Sequence, residues 1–252
     1  MCGRYVSVQA DSDLLSEFDA VDATDGQSPP ADYNVAPTKP VRAVVNRPLR
    51  DADGSRRGAP ARQLRVMRWG LIPSWAKDES IGSRMINARA ETVASANAFR
   101  RAYAKRRCLI PADGWYEWRA REGARAGKEA KAGKEPYFMT PSDGHGLAFA
   151  GLYEFWGSSG ATITSCAIVT APAAGELADI HDRMPLVLPP RSWSRWLDPD
   201  LEDPNDLLSS WDEAWGEHLE LRPVGASVGN VANNGPELVE AITEAPEPQR
   251  LF

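Results

Sequence analysis

Short runs of apolar and β-branched residues, separated by polar loops, dominate this chain of 252 residues. Such runs are typical of β-strands, and short connections between them favour antiparallel pairing. Other stretches carry the spacing of amphipathic helices. We therefore predict an α+β fold with a mainly antiparallel, barrel-like β core and short flanking helices. The predicted strands are 41–46, 64–70, 108–118, 136–140, 147–156, 162–170 and 219–224, and the predicted helices are 12–19, 94–106, 175–180, 190–197 and 206–215.

The chain is long enough to bury a sizeable core, and it contains no internal repeat. We therefore predict a single domain over residues 1–240, followed by a C-terminal tail over 241–252. Segments 47–63 and 119–135 are predicted to be mobile hairpin loops. The second is a low-complexity stretch of Gly, Ala, Lys, Glu and Arg, which is typical of a variable insertion.

The cysteines and histidines argue against disulfides and metal sites. Cys2, Cys108 and Cys166 are odd in number and far apart, which fits a reducing compartment. There is no CxxC pair and the three histidines are scattered, so neither a metal nor a cofactor is expected. No apolar run is long enough to span a bilayer and no signal peptide is present, which predicts a cytoplasmic protein without membrane association.

Charge is segregated along the chain, although its total is only −6. Seven of the eight charged residues between positions 81 and 108 are basic, whereas all seven charged residues between 201 and 220 are acidic. A local excess of positive charge can attract nucleic-acid phosphates whatever the net charge. The same basic run is equally compatible with one solvated face of a helix.

Cys2 has the most distinctive potential chemistry in the sequence. A small second residue normally permits removal of the initiator methionine, so we expect the mature chain to begin at Cys2. Its α-amine, with an ordinary pKa of about 7.7–8.0, would be partly uncharged at neutral pH. The amine can condense with an aldehyde to give an imine, and the adjacent thiol can then close a thiazolidine ring. Position alone also allows Cys2 to be an ordinary early residue of a first strand.

Three further residues complete a set suited to imine chemistry. Asn87 could orient a reactant, while Glu117 and His181 could transfer protons to and from Cys2 and its partner near neutral pH. Each also has a structural interpretation: Asn87 could cap a helix, Glu117 could face solvent on a strand, and His181 could simply pair with Asp182. These residues lie in motifs that stand out from the rest of the chain: YNVAPT at 33–38, WGLIPSW at 69–75, INARAET at 86–92, ADGWYEW at 112–118, IHDRMP at 180–185 and GNVANNGPEL at 229–238.

Together with the initial MCGRY, these motifs closely resemble the SRAP family, in family order from residue 1 to about residue 239. These SOS-response-associated peptidase-like proteins protect abasic sites in single-stranded DNA. The resemblance implies the SRAP fold and a crosslink through a thiazolidine at Cys2, with associated lyase activity at abasic sites. It further implies that Asn87 positions the cysteine or the opened sugar, that Glu117 handles protons at the α-amine, and that His181 assists ring opening and crosslink release.

The resemblance also implies a partner and a DNA-binding surface. The partner would be single-stranded DNA containing abasic sites, bound by a monomer in a cleft lined by four residues: Arg4, Asn34, Trp69 and Arg89. The loop from Trp69 to Trp75 could act as a wedge against duplex DNA. One departure from the family is Ala232, where the late motif often carries a lysine.

Two other functions remain open from the residues alone. An N-terminal cysteine with Asn, Glu and His could cleave amides, and the family's name reflects a peptidase proposal that would cover removal of Met1. A non-covalent DNA-binding module would need none of this chemistry. Cys108 and Cys166 are expected to pack as small apolar residues outside the site.

Overall fold

The computed structural model describes residues 2–51, 55–120, 134–158, 161–209 and 218–242. Met1, most of the predicted 119–135 insertion, most of the predicted 206–215 helix and most of the predicted tail lie outside these ranges.

Within these ranges, the α-helices are α1 (Asp11–Glu17), α2 (Arg100–Lys105) and α3 (Pro190–Leu197). The strands are β1 (Tyr5–Ser7), β2 (Val21–Asp22), β3 (Asp32–Val35), β4 (Pro40–Arg50), β5 (Arg56–Trp69), β6 (Asn87–Arg89), β7 (Arg107–Ala112), β8 (Gly114–Ala120), β9 (Lys134–Pro141), β10 (Leu147–Trp156), β11 (Ile163–Pro172), β12 (Arg183–Pro185) and β13 (Leu219–Pro223).

The strands form two sheets. A five-stranded sheet has the order β13-β9-β8-β1-β3, and an eight-stranded sheet has the order β12-β11-β10-β7-β4-β5-β2, with β6 beside β11. The pairings are antiparallel except those of β2 with β5, β6 with β11 and β11 with β5. The predicted α+β class with mainly antiparallel sheets is therefore confirmed.

The eight-stranded sheet closes on itself through a short contact. Ser165 and Cys166 of β11 pair with Arg68 and Trp69 of β5, so β5, β4, β7, β10 and β11 make a ring. Because this closing contact is so short, the sheet is ring-like without being a regular barrel. The term "the ring" is used below for these five strands.

Apolar side chains fill the ring and also cover its outside. Because strand residues alternate between faces, one set points inward and forms a buried cluster, which includes both Cys108 and Cys166. The other set packs against the helices in a second cluster, where Phe18 stacks on Trp193 with ring centroids 4.4 Å apart. Cys108 and Cys166 are fully buried, as the apolar packing predicted for them requires.

The segment predicted as one strand over 108–118 is two strands in different sheets, so that prediction was wrong. The chain bends at Asp113 and Gly114, and a carboxylate oxygen of Asp113 accepts the backbone N–H of Val8 at 2.7 Å. β7 stays in the ring, whereas β8 joins the five-stranded sheet beside β1. The bend therefore carries Glu117 out of the ring strands and places it close to the N-terminus.

Two other predictions also need correction. Segment 47–63 is a paired hairpin of β4 and β5 through most of its length, because Arg47 lies opposite Ala61 and the pairing continues outward. The predicted 94–106 helix shrinks to α2, because the preceding residues form turns in which Ser95 donates from its hydroxyl to the Thr92 carbonyl at 3.2 Å. Helix 190–197 and strand 147–156 have the predicted bounds.

Close packing at the bend predicts that Gly114 tolerates no side chain. A Cβ there would lie 2.4 Å from the Met139 carbonyl oxygen and 2.5 Å from Phe138 Cζ, which would force β8 away from β9. We expect Gly114→Ala to lower the free energy of unfolding by about 1–3 kcal/mol in urea denaturation. Gly229→Ala is the matched control, since nothing lies within 4 Å of the position that its Cβ would occupy, and it should be nearly neutral. Equal stability of the two variants would refute the account.

Candidate functional site

Cys2 and Asn87 are in direct contact. Cys2 is fully buried in the cluster that fills the ring, and its carbonyl accepts a hydrogen bond from Asn87 Nδ2 at 2.8 Å. Asn87 begins β6 and lies opposite Ile168 of β11, so the interpretation as a helix cap was wrong. Its amide oxygen is buried and lacks a hydrogen-bond partner among the described residues. A buried acceptor of this kind is suited to bind a donor group of an incoming ligand.

Glu117 and His181 form the second half of the site. Glu117 lies on β8 and is only 3% exposed, so the interpretation as a solvent-facing residue was wrong. His181 follows the 3-10 helix Gly175–Asp179, and its Nε2 lies 3.8 Å from Glu117 Oε2. The structure thus brings the Glu117 carboxylate, from a strand of the five-stranded sheet, beside the His181 imidazole, from the loop that precedes β12 of the eight-stranded sheet.

The other ring nitrogen of His181 has two possible partners. Nδ1 lies 2.9 Å from the backbone nitrogen of Arg183 and 2.8 Å from Asp182 Oδ1. It can accept from that N–H or donate to that carboxylate, but it cannot do both at once. When Nδ1 accepts from the Arg183 amide, a neutral ring carries its proton on Nε2, the nitrogen that faces Glu117. Asp182 Oδ1 does lie beside Nδ1, the ring nitrogen that points away from Glu117, but in this neutral tautomer the two atoms share no hydrogen bond.

Burial shifts the pKa values of all three titratable groups toward their neutral forms. It raises the pKa of Glu117 to about 7. It raises the pKa of the Cys2 thiol well above its usual value, and the negative charge of Glu117 raises it further. It lowers the pKa of His181. At neutral pH the site therefore holds a neutral thiol, a neutral imidazole and a carboxyl that can exchange protons near that pH.

Arg4 and Asn34 form a structural clamp. Arg4 Nη1 donates to Asn34 Oδ1 and to the Val228 carbonyl, each at 2.8 Å. Asn34 is fully buried, and its Nδ2 donates to the carbonyls of Val228, Asn230 and Asn233. The prediction that Asn34 lines a DNA cleft was therefore wrong for its side chain, which anchors the loop of the late motif. Arg4 is partly exposed and remains a candidate DNA contact.

Trp69 cannot offer a stacking surface, so its predicted place in the cleft lining was wrong. The ring is fully buried, its N–H donates to the Ile86 carbonyl at 3.0 Å, and its edge packs on Tyr5. The exposed aromatic residue of the same motif is Trp75, with 50% of its surface accessible. Trp69 is buried where β11 pairs with β5 and closes the ring.

Only part of the predicted basic surface is available. Arg107 is buried and donates to main-chain carbonyls, including that of Trp196 at 2.6 Å. Arg106 is bonded to Glu154 at 2.6 Å, and Lys105 to Glu202 at 2.7 Å. The exposed members of the run are Arg84, Arg89, Arg100, Arg101 and the ion-paired Lys105. Arg89 lies on the same strand as Asn87, and its part in DNA binding stays a prediction.

Within the described ranges, no group of three or more His, Cys, Asp or Glu side chains is arranged to hold a metal ion. The same residues contain no helix with the length and apolar character needed to cross a bilayer.

The raised pKa of Glu117 predicts a pH-dependent contribution to stability. Since the folded pKa, about 7, exceeds the ordinary 4.5, folding takes up a proton between these values and the parent loses stability as pH rises through 7. Glu117→Gln removes this dependence. We therefore expect the unfolding free energy of Glu117→Gln, relative to the parent, to increase by roughly 2–3 kcal/mol from pH 5 to pH 8. Denaturant titrations at several pH values test this, and a constant difference would show that Glu117 ionises normally.

Comparison with known proteins places these residues in a family. The profile of the SRAP family, SOS response associated peptidase, matches residues 1–231. "Abasic site processing protein YoaM" of Bacillus subtilis is 38% identical over 244 residues, covering 96% of this chain and 98% of the relative. "Abasic site processing protein YedK" of Escherichia coli is 30% identical over 247 residues, covering 96% of this chain and 100% of the relative.

Solved structures show the same fold. A protein from Bacteroides thetaiotaomicron superposes with a TM-score of 0.77 at 22% identity, covering 96% of this chain and all of that one. A phage-related protein from Bordetella bronchiseptica superposes with a TM-score of 0.61 at 28% identity, covering 88% of this chain and 94% of that one. The match over nearly the whole sequence, with the same fold, means that this chain belongs to the SRAP family.

Proposed function

We propose that this protein processes abasic sites in DNA by forming a covalent crosslink through Cys2. The observation that carries the proposal is the assembly of Cys2, Asn87, Glu117 and His181 in one site: Asn87 donates to the Cys2 carbonyl, His181 lies 3.8 Å from Glu117, and the negative charge of Glu117 acts on the Cys2 thiol. The relatives named above as abasic site processing proteins, 30–38% identical over almost the full chain, support the same substrate.

The proposed reaction requires removal of Met1. It then joins Cys2 to the sugar with the loss of one water molecule. The closed sugar opens when its ring C–O bond breaks, the ring oxygen gains a proton and the anomeric hydroxyl loses one, which leaves an aldehyde. The Cys2 amine adds to the aldehyde carbon, and loss of water gives an imine. The thiol then adds to that carbon and its proton moves to nitrogen, which closes the thiazolidine ring.

The shifted pKa values suit these proton transfers. Glu117, with a pKa of about 7, can accept a proton from the α-ammonium and return one to the departing hydroxyl. A neutral His181 with its proton on Nε2 faces Glu117, so one proton can pass between the two side chains once a substrate closes the 3.8 Å gap. Since a negative charge on Glu117 would stabilise the ammonium form of the amine, Glu117 acts by moving protons rather than by making the amine less basic.

Exclusion of water from the surroundings of Cys2 also favours a lasting crosslink over hydrolysis that would release the DNA. Cys2 is fully buried in apolar surroundings that include Trp115 and Tyr5. An abasic deoxyribose has no base to unstack, so it can enter a narrow site at less cost than a flipped nucleotide. Arg4, two residues from Cys2, and Arg89, two residues from Asn87, could contact the flanking phosphates.

The structure gives less support to amide hydrolysis. A cysteine hydrolase normally works through a thiolate, which neighbouring positive groups stabilise. Here burial and the negative charge of Glu117 raise the thiol pKa, which favours the neutral thiol. A thiol that adds to an adjacent imine can transfer its proton to nitrogen as it reacts, so it does not need this stabilisation.

The first functional prediction concerns the thiol. Cys2→Ala should lose the heat-stable adduct with abasic single-stranded DNA while keeping an amine that forms a reducible imine or cleaves the strand by β-elimination. Cys108→Ala and Cys166→Ala are matched controls, since both thiols are also fully buried, and they should retain the adduct. Denaturing gels of heated samples report the outcome, and a heat-stable adduct in Cys2→Ala would exclude the proposal.

The second prediction concerns crosslink release. With a preformed adduct and excess competing abasic DNA, His181→Ala should slow exchange at least about tenfold, because general acid catalysis typically contributes more than that. Exchange by the parent protein should also slow as pH rises through about 7, where the acid form of Glu117 is lost. His145→Ala, an exposed histidine outside the site, is the control. Unchanged exchange in His181→Ala would leave His181 with only a structural pairing to Asp182.

The third prediction concerns phosphate contact. The logarithm of affinity for undamaged single strands should fall with the logarithm of salt concentration, with a slope of about −0.7 for each phosphate contacted. Arg89→Gln should reduce that slope by about one contact, and Arg195→Gln, exposed on α3 and paired with Asp206, should not. A double Arg100→Gln, Arg101→Gln variant with full affinity would confine the contact to Arg89. A parent slope near zero would contradict a phosphate-binding surface.

A further inference from the structure

The ring opens into a cavity at the end of β10 that carries Phe155. Its volume is 530 Å³, and it is lined by residues of four ring strands, including Arg47 of β4, Arg65 of β5, Phe155 of β10 and Thr164 of β11. Phe155 lies six residues along β10 from Phe149, or about 20 Å at the usual strand rise. The apolar cluster that contains Cys2 fills the space between, so this cavity is separate from the candidate active site.

Positive charge is concentrated at this opening, which we call the arginine mouth. Its lining includes three arginines, Arg47, Arg65 and Arg68, and one acidic residue, Asp25, although the whole chain carries a net charge of −6. Arg68 Nη1 lies 3.3 Å from a half-exposed Glu79 carboxylate, while Arg68 Nε is buried without a hydrogen-bond partner among the described residues. Such a cluster of cations around one cavity creates a local positive potential that attracts anions.

Two of these arginines are held in place by neutral groups. Gln63 is fully buried, and its Oε1 accepts from Arg65 Nε at 3.0 Å and from Arg65 Nη2 at 2.7 Å. Gln63 Nε2 donates to the Arg47 carbonyl at 2.6 Å, which ties β4 to the same amide. The Arg47 guanidinium lies 4.9 Å from the centre of the Phe155 ring. These contacts order the side chains before a ligand arrives, which lowers the entropy cost of binding.

We propose that the arginine mouth is a second, non-catalytic site that binds the phosphate group of a nucleotide. The planar guanidinium groups of Arg47 and Arg65 match phosphate oxygens, and the Thr164 hydroxyl adds a further donor. Phe155 and Tyr153 form an apolar wall against which a sugar or base can pack. A cavity of 530 Å³ is in the usual range for small-ligand sites. The phosphate can come from a free nucleotide or from a DNA strand, since both present the same group.

Calorimetric titration at low salt tests the site, using the Cys2→Ala protein so that no crosslink contributes. The probes are inorganic phosphate, dTMP and undamaged oligo(dT). Arg47→Gln and Arg65→Gln should each weaken, at least about tenfold, the binding of every probe that the parent binds, as expected for loss of a charge-assisted bidentate contact. Arg57→Gln is the matched control, because Arg57 is exposed on the same hairpin outside the cavity and should bind like the parent.

The outcomes separate the two sources of phosphate. Loss of dTMP binding in both variants supports a free nucleotide, whereas weakened oligo(dT) binding without measurable dTMP binding supports a strand. If all three probes bind the two variants as they bind Arg57→Gln, the proposal is overturned. Arg47→Lys keeps the charge without the fork and should bind with intermediate affinity, and thermal unfolding without ligand verifies that each variant is folded. Because these titrations omit crosslinking, they can fail or succeed independently of the proposed reaction at Cys2.

Discussion

The rest of the site depends on the burial of the amino-terminal residues. Cys2 and Tyr5 are almost completely inaccessible, so every polar group that accompanies them must find a partner inside the protein. Asn87 satisfies the Cys2 carbonyl, and the same loss of solvent raises the pKa of Glu117 to about 7. Desolvation thus raises the pKa of Glu117, and the Asn87 hydrogen bond holds Cys2, the nucleophile of the proposed imine chemistry.

The fold supplies these groups from two sheets that meet at the bend after β7. The ring, filled with apolar side chains, gives a rigid base for β6 and Asn87, while β8 brings Glu117 from the neighbouring sheet. His181 lies on a loop. Its Nδ1 faces the Arg183 amide and Asp182, and its Nε2 faces Glu117. A site built across such a junction depends on close backbone packing at Gly114.

Local sequence patterns predict the strands and the reactive residues, but tertiary partners decide the rest. Residue chemistry and family motifs identify Cys2, Asn87, Glu117 and His181, and the structure brings them together. The continuous apolar run over 108–118 predicts one strand, whereas its separation into two sheets depends on β1 and β9, which lie far away in the sequence. Periodicity also cannot reveal that Trp69 lies where the ring closes. Nor can it reveal that the guanidinium of Arg107, in the basic run, donates to carbonyls far away in the sequence.

Intact mass measurement of the protein mixed with abasic single-stranded DNA tests the central claim most directly. The account predicts an adduct, formed without reductant, whose mass equals the chain from Cys2 plus the DNA less one water. After denaturation and thiol alkylation, the adduct should take up two alkyl groups and the uncrosslinked protein three, since the sequence has three cysteines and the thiazolidine blocks one. An adduct that retains Met1, or one in which all three thiols are alkylated, would contradict crosslinking through the amine and thiol of Cys2.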